Sequence, residues 1–280
     1  MKRLLFFVNP NAGHTEIRSS LMQVIQIFTA GGYEVTVHPT AGPRDLTRQI
    51  VERGADYDLI VCTGGDGTLN EATSGLMQLE HRPPLGYIPG GTVNDVASSL
   101  GLSRDPVVAA QDIVHGKPFA IDIGAFGENR WFDYVAAFGL FTNKRIWGRM
   151  AYFFNGVQAL GEVHPVHARV SWDGKTVEAD IIDGLVCSTT SVGGFKATRA
   201  VGEFGISMND GLYEVVLIRD IKNLADFSAV AAKLLWMDFS DENYFITAQT
   251  SAIRFEFDDP VAWTLDGEFG GSVTDVTIQN

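Results

Sequence analysis

Two short segments of the chain combine consecutive glycines with an aspartate. Residues 64–68 (GGDGT) follow the apolar run 58–63, and residues 90–95 (GGTVND) follow the run 85–89. Glycine lets a backbone turn sharply and approach a ligand closely. Both segments lead into stretches with helical spacing, and a helix N-terminus presents unpaired N–H groups and a positive dipole end. The two segments therefore predict a site for an anion.

The aspartates Asp66 and Asp95 indicate what kind of anion this is. A carboxylate repels a phosphate unless a divalent cation lies between them, so the pair predicts Mg²⁺, bound directly or through water. Mg²⁺ beside phosphates indicates a nucleotide. The alternative is a glycine-rich turn in which Asp66 only caps a helix, because an isolated glycine motif is weak evidence.

Two further segments favour the nucleotide over the simple turn. Residues 9–13 (NPNAG) and 40–42 (TAG) also follow strand-like runs and carry small or amide residues. The common phosphate-binding signatures, G-x-x-x-x-G-K-[ST] and a G-x-G-x-x-G that opens the first helix, do not occur in the sequence. The nucleotide would thus be held by another scheme.

The elements that must position these segments alternate between strands and helices. Strand candidates are residues 3–8, 33–38, 58–63 and 85–89, and helices are predicted to begin near Thr15, Asp45, Leu69, Asn94 and Asp105. This alternation predicts an α/β domain over residues 1–121 with a doubly wound, mostly parallel sheet. In such a sheet, ligands bind beyond the carboxyl ends of the strands.

From residue 122 the pattern changes to closely spaced strands. Turn signals occur at Glu128-Asn129 and Asp173-Gly174, and helical spacing interrupts the pattern near residues 144–161 and 221–236. Residues 122–280 are therefore predicted to form a β-rich, antiparallel, sandwich-like domain. Further strand candidates are residues 184–189, 213–218, 244–249, 252–257 and 273–278.

Composition excludes some classes of protein. The 280 residues carry a formal net charge of −13, which disfavours a general nucleic-acid binder. No stretch is long and apolar enough to span a bilayer, and the apolar start is too short for a signal peptide, so we expect a cytoplasmic protein. Cys62 and Cys187 lie in strand-like runs and are expected to be buried reduced thiols.

The segments NPNAG, GGDGTLNE and PGGTVNDVA, in this order, resemble the signature segments of the diacylglycerol kinase and sphingosine kinase catalytic family of lipid kinases. Later segments are similar to those of its soluble bacterial members, so the resemblance covers most of the chain: FDYVAAFGLFT, WGRMAYFFNGVQAL, SMNDGLYEV and LDGE. GGDGT alone is shared with NAD kinases and 6-phosphofructokinases. PGGTVNDVA favours the lipid-kinase branch.

The resemblance implies roles for particular residues. Asp66 and Asp95 would belong to the catalytic Mg²⁺ network, and Glu268 of LDGE would be the general base, with Asp66 as the competing candidate. A structural metal would be held by Asp210 and by the backbones of Ser207 and Leu212. The implied ATP contacts are Asn9, Pro10, Asn11, Ala12, Gly13, Thr40, Gly64, Gly65, Asp66, Gly67, Thr68, Leu69, Asn70 and Thr92.

We therefore expect an ATP- and Mg²⁺-dependent lipid kinase, with diacylglycerol as the first-choice acceptor and phosphatidate as the product. The alternatives are an NAD kinase and a sensor that binds nucleotide or lipid without turnover. Asp266-Gly267 is also a strong hairpin signal without any catalytic role.

A further expectation concerns the membrane, where the lipid acceptor resides. Lys144, Arg145, Trp147 and Arg149 form a basic, aromatic segment in an acidic chain, which suits peripheral contact with the inner face of the membrane. A helix that packs its aromatic face on the β-rich domain explains the same segment equally well. A homodimer is compatible with either interpretation.

Overall fold

The computed structural model describes residues 1–10, 16–139, 164–189, 191–192, 195–196, 207–236 and 238–280. The chain divides into two compact units, Met1–Ala120 and Ile121–Asn280. The division lies one residue from the position at which the sequence pattern changes. No helix among the described residues has the length and apolar character needed to cross a bilayer.

The first unit is built on a parallel sheet, as the sequence predicts. Its strands lie in the order β2 (Tyr33–Pro39), β1 (Lys2–Val8), β3 (Leu59–Gly64) and β4 (Leu85–Pro89). Leu59 and Val61 of β3 pack on one face of the sheet with α1 and α5, whereas Ile60 lies on the other face near the end of α2. The elements are β1 (Lys2–Val8), α1 (Glu16–Ala30), β2 (Tyr33–Pro39), α2 (Asp45–Arg53), β3 (Leu59–Gly64), α3 (Asp66–Leu76), β4 (Leu85–Pro89), α4 (Asp95–Leu100) and α5 (Pro106–His115).

The helix after the first glycine segment begins earlier than predicted. α3 starts at Asp66, not Leu69, because the N–H groups of Thr68 and Leu69 already bond to the carbonyl of Gly65 at 2.9 and 3.1 Å. Glycine is a poor helix former, so the sequence pattern places Gly67 in a loop, although it lies in the first turn of the helix. Only Gly65 therefore separates the strand from the helix, and Asp66 is a helical residue.

The second unit contains an antiparallel sheet, which confirms the predicted β-rich domain. Two of its long strands share two neighbours, because β9 and β14 both pair with β7 and with β8. These pairings close into a barrel-like ring. The strands are β5 (Gly124–Phe126), β6 (Trp131–Phe132), β7 (Val135–Gly139), β8 (Val166–Trp172), β9 (Lys175–Cys187), β10 (Ser191–Val192), β11 (Phe195–Lys196), β12 (Tyr213–Arg219), β13 (Phe245–Thr250), β14 (Ala252–Leu265) and β15 (Glu268–Gln279).

Aromatic side chains fill the core of this unit. Trp263 contacts Phe138 and Phe255 with ring centroids 4.7 and 5.2 Å apart, a spacing at which tilted aromatic pairs attract each other. On the other face of the sheet, α6 (Leu224–Leu235) packs Val230 into a second cluster. This helix confirms the one predicted near residues 221–236, whereas the one predicted near 144–161 lies outside the described residues.

Both predicted hairpins and both predicted thiols are confirmed. Asp173 and Gly174 join β8 to β9 with positive φ angles of 45° and 74°, and the turn near Glu128 joins β5 to β6. Cys62 and Cys187 are buried, and neither forms a disulfide among the described residues.

Candidate active site

The carboxyl ends of the four parallel strands meet at one edge of the sheet. Val8 pairs in register with both Pro39 and Thr63, and Gly64 pairs with Pro89. The N–H of Thr40 bonds to the carbonyl of Val8 at 2.9 Å, which ties the second loop to the first strand. The four predicted loops therefore begin at this edge. Asn9 and Pro10 belong to it, whereas Asn11, Ala12 and Gly13 lie outside the described residues.

The two glycine loops pack backbone against backbone. A side chain at Gly91 would place its Cβ only 2.5 Å from the Cα of Gly65. The N–H of Gly90 bonds to the carbonyl of Gly64 at 2.7 Å. The glycines at these positions are therefore required by the contact between the loops, whatever the loops bind.

Asn94 fixes the shape of the second loop. It is buried and has a left-handed conformation with φ 55°. Its side-chain oxygen accepts the N–H of Gly91 at 3.0 Å, and its amide donates to the carbonyl of Gly91 at 2.7 Å. The hydroxyl of Tyr87 lies 3.2 Å from the same oxygen. The signal in the sequence is Asn after a glycine pair, since Asn is one of the few residues that tolerate this conformation.

Asp66 and Asp95 begin α3 and α4, and their charges interact. Burial, and then the negative charge of Asp95, raise the pKa of Asp66, while N–H groups of Asn94, Asp95 and Val96 oppose the rise. One carboxylate oxygen of Asp66, Oδ1, is buried and has no hydrogen-bond partner among the described residues. A partly buried carboxylate beside a second negative charge, with one oxygen that has no hydrogen-bond partner among the described residues, is an arrangement that a cation would stabilise.

The carboxylates of Asp66 and Asp95 suit Mg²⁺ if other ligands complete its coordination shell. Mg²⁺ prefers oxygen ligands and commonly keeps several waters, with one or two carboxylates and substrate phosphates completing its shell. The part of the chain that the structure describes holds no group of three or more His, Cys, Asp or Glu side chains suited to a metal. Asp66 and Asp95 would therefore have to share the ion with phosphate and water.

A cavity of about 190 Å³ opens beside the second loop. The guanidinium of Arg104 is part of its wall and donates to the carbonyl of Val93 at 2.6 Å. Sequence reasoning missed Arg104, whose signal is a cation shortly after the glycine segment in an acidic chain. The residues that line the cavity are Ile17, Thr63, Pro89, Gly90, Gly91, Asn94, Arg104 and Pro106.

The other predicted nucleotide contacts differ in exposure. Gly67 and Thr92 are exposed, and Thr40, Thr68 and Asn70 are half-buried, so part of the surface of each residue can be reached by a ligand. The side chain of Leu69 is buried. A contact from that residue would have to come from its backbone.

Glu268 lies in the second unit, at the first position of β15, and it is exposed. Asp266 and Gly267 form the two-residue turn before it, with φ angles of 49° and 79°. The hairpin interpretation of LDGE is therefore correct for the backbone, and it leaves the carboxylate of Glu268 accessible.

The residues predicted to hold a structural metal lie in one turn. The N–H of Leu212 bonds to the carboxylate of Asp210 at 3.1 Å, and the hydroxyl of Ser207 donates to Asn209 at 2.8 Å. Asp122, which sequence reasoning missed, accepts the N–H of Gly211 at 2.9 Å. Hydrogen bonds within the protein thus account for the shape of this turn, and the metal stays a prediction. Lys144, Arg145, Trp147 and Arg149 lie outside the described residues.

The fold and this edge define a class of protein. A parallel sheet whose strand ends carry glycine loops, helix N-termini and paired carboxylates is suited to nucleotide-dependent phosphoryl transfer.

Comparison with known proteins identifies the family. The family model for the diacylglycerol kinase catalytic domain matches residues 3–126 of the sequence. The chain is similar to a diacylglycerol kinase of Bacillus subtilis (strain 168), with 33% identity over 97% of this chain and 91% of that protein. A diacylglycerol kinase of Staphylococcus aureus (strain MRSA252) is 28% identical over 97% of this chain and 88% of that protein. The chain therefore belongs to the diacylglycerol kinase catalytic-domain family, a family of kinases.

Solved structures agree with the architecture. A crystal structure of a diacylglycerol kinase from Bacillus anthracis str. Sterne has a TM-score of 0.77 at 23% identity and covers 99% of this chain and 93% of its own. A second crystal structure from the same organism has a TM-score of 0.83 at 24% identity and covers 100% of this chain and 94% of its own. At these identities the likeness shows the fold, and it confirms the predicted α/β unit followed by a β-rich unit.

Proposed function

We propose that the protein transfers the γ-phosphoryl group of ATP to the free hydroxyl of diacylglycerol, in a Mg²⁺-dependent reaction that yields phosphatidate and ADP. The observation that carries this proposal is the pair Asp66 and Asp95 at the edge of the sheet that bears the glycine loops. The buried Oδ1 of Asp66 has no hydrogen-bond partner among the described residues. The acceptor is inferred from the curated relatives, which are diacylglycerol kinases.

Each part of the edge has a task in this reaction. The N-terminus of α3 and the glycine loops bind and align the phosphates, since helix N-termini and close backbone N–H groups favour anions. Asp66 and Asp95 would hold Mg²⁺, which when bound would supply positive charge beside the phosphates.

The acceptor hydroxyl also needs a base. Glu268 is assigned this role, because LDGE resembles the family motif whose glutamate is the proposed base and because Glu268 is exposed. The acceptor oxygen forms a bond to the γ-phosphorus, the bond from that phosphorus to the bridging oxygen breaks, and ADP leaves with the electron pair. The proton of the hydroxyl passes to Glu268.

The acceptor resides in a membrane, so the protein has to meet a lipid surface. Lys144, Arg145, Trp147 and Arg149 are proposed to make this contact, since cations favour anionic headgroups and Trp favours the interface. Vesicle flotation with and without anionic lipid tests the contact, and a protein that never floats with anionic vesicles would contradict it.

The experiment that tests the function is transfer of labelled phosphate from Mg·ATP to lipids in mixed micelles. Diacylglycerol, other neutral lipids and sphingoid bases serve as acceptors, NAD is a parallel acceptor, and the Asp66→Asn protein is the blank. Label in diacylglycerol that is lost in the variant is the expected result. Label in NAD would replace the proposal by an NAD kinase, and ATP binding without transfer to any acceptor would contradict catalysis.

A further inference from the structure

The aspartate of the LDGE turn, Asp266, makes several hydrogen bonds to a distant part of the chain. The carboxylate of Asp266 accepts the backbone N–H groups of Asp133, Tyr134 and Val135 at 2.7, 3.1 and 3.1 Å. In the opposite direction, the N–H of Asp266 donates to the carbonyl of Val135 at 2.9 Å. The side chain is only 6% exposed, so water competes little for these bonds.

These four hydrogen bonds join two distant parts of the chain. Two of the three N–H groups lie in the connection between β6 and β7, and the third belongs to Val135, the first residue of β7. Asp266 lies in the turn between β14 and β15. Hydrogen bonds from several N–H groups to one carboxylate are charge-assisted and are stronger than bonds between neutral groups. The turn is therefore anchored to a strand start more than 130 residues earlier.

The anchored turn carries the proposed base. Glu268 follows Asp266 by two residues, and it pairs with Leu265 across the hairpin. Leu265 is in turn paired with Ala136 of β7, one residue beyond the anchored N–H groups. The backbone at Glu268 is thus fixed from both sides of the turn, although its side chain is exposed.

We propose that Asp266 is a positioning residue, whose carboxylate holds the backbone at 133–135 and thereby orients Glu268 toward the hydroxyl of the acceptor. This rests on the proposed function, in which Glu268 is the general base. Asp266 itself takes no part in proton transfer. Its contribution is geometric, and an error of about 1 Å in the placement of a catalytic group lowers turnover by about 100-fold.

The test is a double-mutant cycle on lipid phosphorylation, with Asp266→Asn, Glu268→Gln and the double variant. The amide of Asn is nearly isosteric with the carboxylate, but it would turn an NH₂ group toward N–H donors or leave donors unpaired. We expect Asp266→Asn to lower kcat by about 10- to 100-fold with little change in KM for ATP. On the Glu268→Gln background, the same change should lower kcat by less than about 2-fold, because the base that it positions is already absent.

The outcomes separate this inference from the function on which it rests. Equal losses on both backgrounds would show that Asp266 acts without Glu268 and would overturn the positioning role, as would wild-type turnover in Asp266→Asn while Glu268→Gln is impaired. Wild-type turnover in Glu268→Gln would remove the base assignment, and the inference with it. Absence of lipid phosphorylation in the wild-type protein would instead contradict the proposed function.

The chain offers a matched control in its other Asp-Gly hairpin. Asp173→Asn makes the same chemical change in a second Asp-Gly turn with positive φ angles, where the carboxylate accepts the hydroxyl of Thr250 at 3.0 Å. We expect wild-type kcat for this variant, and thermal unfolding of each protein checks that it is folded. If Asp266→Asn does not yield folded protein, Asp266→Ser replaces it in the cycle, since the serine hydroxyl still accepts one N–H.

Discussion

Three helices of the first unit begin with an aspartate, and two of these residues, Asp45 and Asp66, have opposite electrostatic surroundings. Asp45 begins α2, where it accepts the N–H of Ala41 and contacts His38, each at 2.9 Å. The bond from Ala41, followed by that to His38, lowers the pKa of Asp45 to about 2. Asp66 begins α3, where burial and the charge of Asp95 raise its pKa.

The difference indicates that the ionised carboxylate of Asp45 stabilises the fold, whereas that of Asp66 does not. An acid at the start of a helix is favourable in general, because it faces the positive end of the dipole. Asp45 has this benefit and is also fully engaged by partners. The ionised form of Asp66 is disfavoured by burial and by a nearby negative charge, which is typical of a functional site whose ligand supplies a positive charge.

The largest expected effect is a loss of turnover in Asp66→Asn, which tests the difference between Asp66 and Asp45. We expect kcat for phosphoryl transfer to fall by about 1,000-fold or more, because removal of a group that organises charge stabilisation has effects of this size. The free energy of unfolding should not fall, since the variant removes a repelled charge. Near-normal turnover would break the assignment, and so would a large loss of stability.

The next effect concerns the loop contact that places Asp66. Gly91→Ala would put a methyl group 2.5 Å from the backbone of Gly65, so we expect the free energy of unfolding to fall by about 3 kcal/mol and KM for ATP to rise. Urea unfolding and steady-state kinetics measure the two. Gly42→Ala is the control for stability, because its Cβ would meet nothing within 4 Å. Similar losses of stability in both variants would show that the contact between the loops does not require glycine.

The third effect is a loss of stability in Asp45→Asn, of about 2 kcal/mol at pH 7, because the variant leaves polar partners unsatisfied. The pKa of Asp45 is lower in the folded state than its usual 3.8, so the carboxylate stabilises the fold above pH 4, and this contribution is lost as the pH falls toward 2. Urea unfolding at pH 7 and pH 3 should therefore show a smaller difference from wild type at pH 3. A difference that does not depend on pH would contradict the ionic role of Asp45.

The smaller of the two expected effects on turnover is in Glu268→Gln. We expect kcat to fall by about 100-fold, the range typical of a general base, with ATP affinity retained. Rapid-quench measurement of the transfer step checks this. If kcat did not change, the base would have to be sought at Asp66.

The sequence predicts the local parts of this molecule well, for physical reasons that can be named. The strand ends at Val8, Pro39, Gly64 and Pro89 are marked by apolar runs that stop at glycine, proline or amide residues, and parallel pairing then brings them to one edge. The two Asp-Gly turns are likewise predicted by their own dipeptides, because positive φ angles select these residues.

Contacts between distant residues could not be predicted in this way. Nothing in the dipeptide Asp266-Gly267 distinguishes it from Asp173-Gly174, yet only the former anchors the N–H groups of residues 133–135 among the contacts described. The barrel-like ring could not be predicted for the same reason, because it depends on long-range pairing of both β9 and β14 with β7 and β8. The opposite pKa shifts of Asp45 and Asp66 also arise from neighbours that a helix start does not reveal.

The central claim is that Asp66 and Asp95 hold the Mg²⁺ that phosphoryl transfer requires. The most direct test is the rate of phosphate transfer to diacylglycerol as Mg²⁺ is titrated at fixed ATP, for wild-type, Asp66→Asn and Asp95→Asn proteins. The account predicts no transfer without Mg²⁺, a saturable rise for wild type, and rates near background for both variants at every Mg²⁺ concentration. Full transfer without a divalent cation, or a wild-type titration curve in either variant, would contradict it.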